Sequence, residues 1–261
     1  MRLAAVFLFS LTSEWLKQWR SLTRPLIVGS ACFIPAIIFL SRFRHIEALP
    51  ALYRAPRFWE SLWRQSWEAM ALMILPLAIM LLASLIAQVE YRNNAWKQVH
   101  ATPQPLAAIF ASKLVVLLVL VAQLILCFNA AIYAAGALPA LLFDGVTLPG
   151  PPRIGYFLDR DARFFVDVLP IVALQYVLAI LFRSFLAPLG IGMALWIFSV
   201  GTMSWRYSWL VPYSASSLDY LSVEYQRAIH LPVSPPAIAG GYFFVITVVG
   251  YVLYSCKRER G

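Results

Sequence analysis

"EAMALMILPLAIMLLASLIAQV", residues 68–89, runs for 22 residues with Glu68 as its only charge. A helix that crosses a bilayer needs about 20 predominantly apolar residues. A buried strand needs far fewer, so this run reads as a membrane span. Five further runs read the same way: 25–41, 107–136, 165–182, 185–204 and 237–255. The first is short and contains Pro35, which predicts a tilt or kink. The third is the longest and predicts a tilted or projecting helix. Residues 165–204 exceed one span and break only at Arg183 and Ser184, which predicts a tight helical hairpin. Pro188, Gly190 and Gly192 would help it turn and pack closely.

Composition agrees. The 261 residues are 61% hydrophobic and 13% charged, with mean hydropathy +0.74. A soluble domain carries about 25% charged residues. The longest segment between spans is too short for a separate domain, so residues 1–261 read as one transmembrane domain. The net charge of +9 does not indicate nucleic acid. Basic residues flanking spans give the same sum, and no basic stripe interleaved with aromatics occurs. Cys32, Cys127 and Cys256 show no metal or disulfide spacing and read as buried small hydrophobes. No phosphate-binding loop, metalloprotease motif, nucleophile elbow or Cys/His cluster is present. The chain is therefore expected to be no enzyme on its own, with no metal and no resident cofactor.

Near the N-terminus, Phe7, Leu11, Trp15, Trp19 and Leu22 recur at helical spacing, while Lys17, Arg20 and Arg24 take another face. The segment has the outline of a signal peptide but no small-x-small cleavage site. It reads as an uncleaved amphipathic helix over about 3–23, lying in a membrane interface. Six spans put both termini on one side. That side carries 11 of the 21 Lys and Arg residues, including every Lys, on the shorter loops. The positive-inside rule then places both termini in the cytoplasm. On the other side, Trp59, Trp63 and Trp67 fall on one helical face and read as interfacial anchors. The Pro- and Gly-rich stretch 137–164 reads as a loop.

Polar groups inside spans are the usual pointers to function. Gln123, Asn129 and Gln175 are the candidates for a substrate path, with Gln88 and Asp167 near span ends. Interhelical hydrogen bonds explain the same residues without a substrate. No chain of buried ionisable groups suggests a proton relay, so the driving energy is expected to come from elsewhere. Lys113 is expected to snorkel from span three to the interface.

The segment "VEYRNNAWKQVHATPQPLAAIFASKL", residues 89–114, resembles the cytoplasmic link between spans two and three of ABC-2-type exporter permeases. The shared features are an acid ending one span (Glu90), a short polar helix with an aromatic ("RNNAWK"), a proline turn (Pro103) and a Lys opening the next span (Lys113). "LQYVLAILFRSFLAPLGIGMAL" resembles the hairpin of the lantibiotic-immunity and bacitracin-resistance branch, and the six-span plan fits the same family. The external loops here are longer. The resemblance implies an all-α integral membrane protein with six transmembrane helices, an N-terminal interfacial helix and a cytoplasmic coupling helix. It implies a multi-pass subunit of the bacterial inner membrane that exports a peptide antibiotic, lipid or drug. Its partners would be an ABC ATPase carrying ATP and Mg, a second permease and membrane lipid, with no nucleic acid. The coupling helix would be Glu90, Tyr91, Arg92, Asn93, Asn94, Trp96 and Lys97. Trp96 would be its apolar anchor, Arg92 and Lys97 would meet acids, and Asn93 and Asn94 would bond the partner's backbone. The alternative is a membrane sensor or scaffold that does not transport.

Overall fold

The computed structural model describes residues 2–19, 21–92, 104–224 and 234–258. The described residues are helices joined by turns and short connections. In chain order they are α1 (Arg2–Trp19), α2 (Thr23–Arg44), α3 (Leu49–Tyr53), α4 (Phe58–Ala69), α5 (Leu75–Arg92), α6 (Leu106–Leu142), α7 (Ile154–Asp167), α8 (Leu169–Leu181), α9 (Leu186–Gly201), α10 (Ala215–Glu224) and α11 (Pro235–Arg258). A single π-helical turn, Met70–Ile74, joins α4 to α5.

Among the described residues, five helical stretches are long and apolar enough to cross a membrane: Thr23–Arg44, Phe58–Val89, Leu106–Leu142, Ile154–Leu181 and Pro235–Cys256. The sixth, α9, is apolar but has only 16 residues, so it rises roughly 24 Å. It is paired with α8 through the reversal at 182–185, four residues that belong to neither helix. α6 has 37 residues and extends roughly 55 Å. The hydrocarbon core is about 30 Å thick, so α6 projects beyond it.

α5 and α8 form the centre of the bundle. α5 packs on α8, α2 and α9, while α11 covers α8 and α6 receives α1, α2 and α4. Small residues permit close packing at two crossings. A methyl at Gly250 would run into Val177, which brings α11 against α8, and one at Gly136 would lie 2.5 Å from the Trp59 ring. Residues with bare backbone at the crossing let helices approach without a hydrophobic drive from water.

At one end, here the base, the Tyr91 hydroxyl donates to the Ile180 carbonyl at 2.8 Å and the Tyr176 hydroxyl to the Phe110 carbonyl at 2.7 Å. At the far end, Tyr53 donates to the Gly136 carbonyl and the Trp59 indole to the Gly150 carbonyl, both at 2.7 Å.

Three expectations need correction. Trp59, Trp63 and Trp67 are buried rather than anchored at an interface. Their helix continues into α5, so the apolar run begins a helix of 32 residues at Phe58. Trp67 is fully buried, stacked on Phe164 at 4.4 Å and edge-on to Phe128 at 5.3 Å. The same spacing serves an interface belt or an aromatic core, and α6 and α7 supply the partners. Second, the stretch 137–164 is not all loop. α6 continues to Leu142, and α7 begins at Ile154 and runs almost directly into α8. Pro170 has no N–H to continue the ladder, which explains the break at Val168. Third, Cys32, Cys127 and Cys256 are free and exposed on the protein surface rather than buried.

Candidate functional site

α1 docks inside out. Ser10, Glu14 and Gln18, spaced one turn apart, are buried against the bundle, while Leu8, Phe9, Leu16 and Trp19 face outward. In water this would be a costly arrangement. In lipid, exposed apolar side chains cost nothing, and the polar stripe gains by pairing within protein. Ser10 and Ser112 share a hydrogen bond of 2.9 Å. Glu14 takes Lys17 at 2.6 Å and Lys113 at 2.9 Å, with Lys113 only 3% exposed. Lys113 therefore does not snorkel to the interface: it forms a buried ion pair that fastens α1 to the first turns of α6. The spacing within 10–18 signalled a polar stripe, but nothing in it signalled that Lys113 was the target.

The same base carries the last turn of α5. Tyr91 pins that turn to the end of α8 through Ile180. Glu90 and Arg92 belong to α5 by backbone. Asn93, Asn94, Trp96, Lys97 and the Pro103 turn lie outside the described residues. Chain is next described at Gln104 and Pro105, which open α6. The segment between α5 and α6 is thus attached to helices that are clamped to α8 on one side and to α1 on the other.

Gln123, Asn129 and Gln175 do not share one site. Gln123 is exposed on the outer face of α6. Gln175 is buried, donates to the Pro188 carbonyl at 2.8 Å and accepts from the Tyr213 hydroxyl at 2.9 Å. It ties the α8–α9 hairpin to the short helical turn Pro212–Ser214 that follows α9. Gly192 leaves room for it, since a methyl there would meet its Oε1 at 2.6 Å.

Asn129 borders a cleft of about 470 Å³ at the far end, between α4, α6 and α7. Its amide oxygen accepts from the Trp63 indole at 3.3 Å and its nitrogen donates to the Ile125 carbonyl at 2.9 Å. Trp59, Tyr133 and Phe157 form aromatic walls, with Trp59 and Tyr133 stacked at 5.3 Å. Asp161 also borders the cleft and is 8% exposed. The size and the mostly apolar lining with few polar groups are those of a small-molecule site. Sequence reading missed Asp161. It sits in "IGYFLDRDARFF", where apolar and charged residues alternate at helical spacing, and that pattern was the available signal.

Among the described residues, no group of three or more His, Cys, Asp or Glu could hold a metal ion. Residues 10–199 match the model of a family described as ABC-2 family transporter protein. The matched stretch runs from the first half of α1 through most of α9 and includes the base and the cleft. No curated protein matches the chain.

Proposed function

Because the chain belongs to the ABC-2 transporter family, as a membrane permease subunit of an ABC transporter, we propose that it exports an amphipathic compound with energy from a separate ATPase chain. The ATPase docks on the segment between α5 and α6. Glu90, Tyr91, Arg92, Asn93, Asn94, Trp96 and Lys97 make that contact, and ATP and Mg stay on the partner. Two permeases, this chain and a copy or a paralogue, pair in a bacterial inner membrane, with both termini in the cytoplasm. The cargo is a peptide antibiotic, lipid or drug that enters from the membrane.

One observation carries this reading: the base is mechanically continuous. Tyr91 ties α5 to α8, and Glu14 and Ser10 tie α1 to α6. A push on the connecting segment therefore reaches α5, α6 and α8 together. Such clamps turn movement at a short segment into movement of whole helices, because packed interfaces shift between discrete arrangements rather than flexing continuously.

The experiment purifies the chain with its candidate ATPase and replaces Trp96 and Arg92 by Ala. An anchoring aromatic removed from an interface costs about 2 kcal/mol or more. Copurification should weaken and ATP hydrolysis should lose its dependence on the permease. Unchanged complex formation and hydrolysis would sink the docking assignment.

A further inference from the structure

The far-end cleft holds a buried acid to which the described residues bring no cation. Asp161 is the one carboxylate lining it among the described residues, and two other acids on the same helices are paired. Glu60 faces Arg57 at 3.7 Å and Arg153 at 3.5 Å, and Asp159 faces Arg163 at 3.2 Å. Asp161 has no cationic partner among the described residues, and its Oδ1 is buried without a hydrogen bond. The amide of Asn129 reaches it, with its oxygen on the Trp63 indole and an N–H on the Ile125 carbonyl. A buried carboxylate without a cation is costly, and the cost is relieved when a cation arrives.

The surroundings select the form of that cation. Trp59, Trp63 and Phe157 are aromatic surfaces that favour a positive charge over their faces and an apolar body against them. The mouth is apolar: Tyr133 is 50% exposed, and Leu126, Ile154 and Leu158 are exposed beside it. Asn129 lies 23 residues along α6 from Leu106, or roughly 35 Å from the base. That places the cleft toward the far end of the apolar run of α6, where an amphipathic molecule can reach it from the membrane.

We propose that this cleft binds a lipophilic organic monocation, its charge beside Asp161 and Asn129 and its apolar body against the rings of Trp59, Trp63 and Phe157. The proposal rests on the permease reading only for its purpose, since it makes the cleft a cargo site. Binding itself needs no ATPase.

The test uses the full chain alone in phosphatidylcholine nanodiscs, with radiolabelled tetraphenylphosphonium as probe. Tetraphenylborate, of the same shape and opposite charge, is the counter-probe. The phosphonium should bind saturably, with the borate bound far more weakly. Asp161→Asn should weaken phosphonium binding about ten- to a hundredfold, the size of a charge–charge attraction at about 6 Å in a partly buried site, and Asp161→Glu should restore part of it. Tyr133→Ala, at the half-exposed mouth, leaves the buried acid in place and should weaken binding severalfold; it serves if Asp161→Asn does not fold. Equal binding of both probes, or binding unchanged in Asp161→Asn or in Tyr133→Ala, overturns the site. Those failures leave ATPase docking untouched, whereas unchanged ATPase coupling in the Trp96 and Arg92 variants leaves this binding result standing.

Discussion

Pro76 and Pro139 each interrupt the hydrogen-bond ladder of a membrane helix. Proline offers no N–H to the carbonyl four residues earlier, and lipid offers no water in its place. For Pro76 that carbonyl is Leu72, in the π turn, and the Trp196 indole of α9 donates to it at 2.9 Å. For Pro139 it is Ala135, and Arg42 of α2 donates to it at 2.9 Å while also donating to the Tyr53 hydroxyl at 3.1 Å. Each repair comes from a different helix, so each proline becomes a joint. Trp196→Phe should lower stability by about 1–3 kcal/mol, the cost of stranding a buried acceptor. In a Pro76→Ala background, which restores the N–H, the same change should cost clearly less. Urea or thermal unfolding in mild detergent reads both, and equal costs in the two backgrounds would refute the joint. Tyr213 gives a pH prediction. Burial raises its phenol above the ordinary value of 10.0, so the folded chain holds a proton that the unfolded chain has released. Its contribution is present below about pH 10 and is lost as pH rises further. Tyr213→Phe should flatten the alkaline part of a stability profile and leave the neutral part's slope unchanged.

At the scale of elements, α1 and α4 show how little an amphipathic pattern says about direction inside a membrane. Both were legible as helices from their spacing. Their faces were not, because lipid and protein interior are equally apolar and the stripe that seeks a partner is the polar one. On α1, Ser10, Glu14 and Gln18 turn inward. On α4, the tryptophans turn inward because Phe128 and Phe164 offer ring faces and edges, and α7 could not be foreseen in a Pro- and Gly-rich stretch. Breaking a buried ion pair from one side costs about 3–5 kcal/mol. Glu14→Gln should therefore loosen α1, seen as faster proteolysis near residues 20–24. Glu14→Gln combined with Lys113→Met should recover much of the loss. A double variant as labile as the single one would mean that the Glu14–Lys113 pair is not what holds the helix.

At the scale of the molecule, the apolar faces left uncovered are the outer helices. The apolar windows of α2 and α11 are 28% and 17% buried, against 61% for α4–α5 and 67% for α7–α8. Phe244, Val245 and Val249 on α11, and Phe33, Ile37 and Leu40 on α2, face outward. The exposed cysteines test whether lipid covers such faces. In sealed membranes Cys32 and Cys127 should resist a water-soluble maleimide and react with a membrane-permeant one. Ready reaction of either with the soluble reagent would contradict the spans. Cys256, at the base, should react only from the cytoplasmic side if the proposed orientation holds.

The sequence by itself determined that the chain is a helical membrane protein. Runs of 17 to 30 apolar residues leave no other way to satisfy the backbone in lipid. It also showed the α8–α9 hairpin, and it named Asn129 as a polar residue within a span. Only the tertiary structure decided which helix faces meet. In a bilayer, pairing of polar groups, bare glycines and freed carbonyls sets that choice, and those partners lie far apart in the chain. Glu14 finds Lys113, Arg42 finds Ala135, and the aromatic cleft closes around an Asp161 that the linear pattern left among ordinary charged residues.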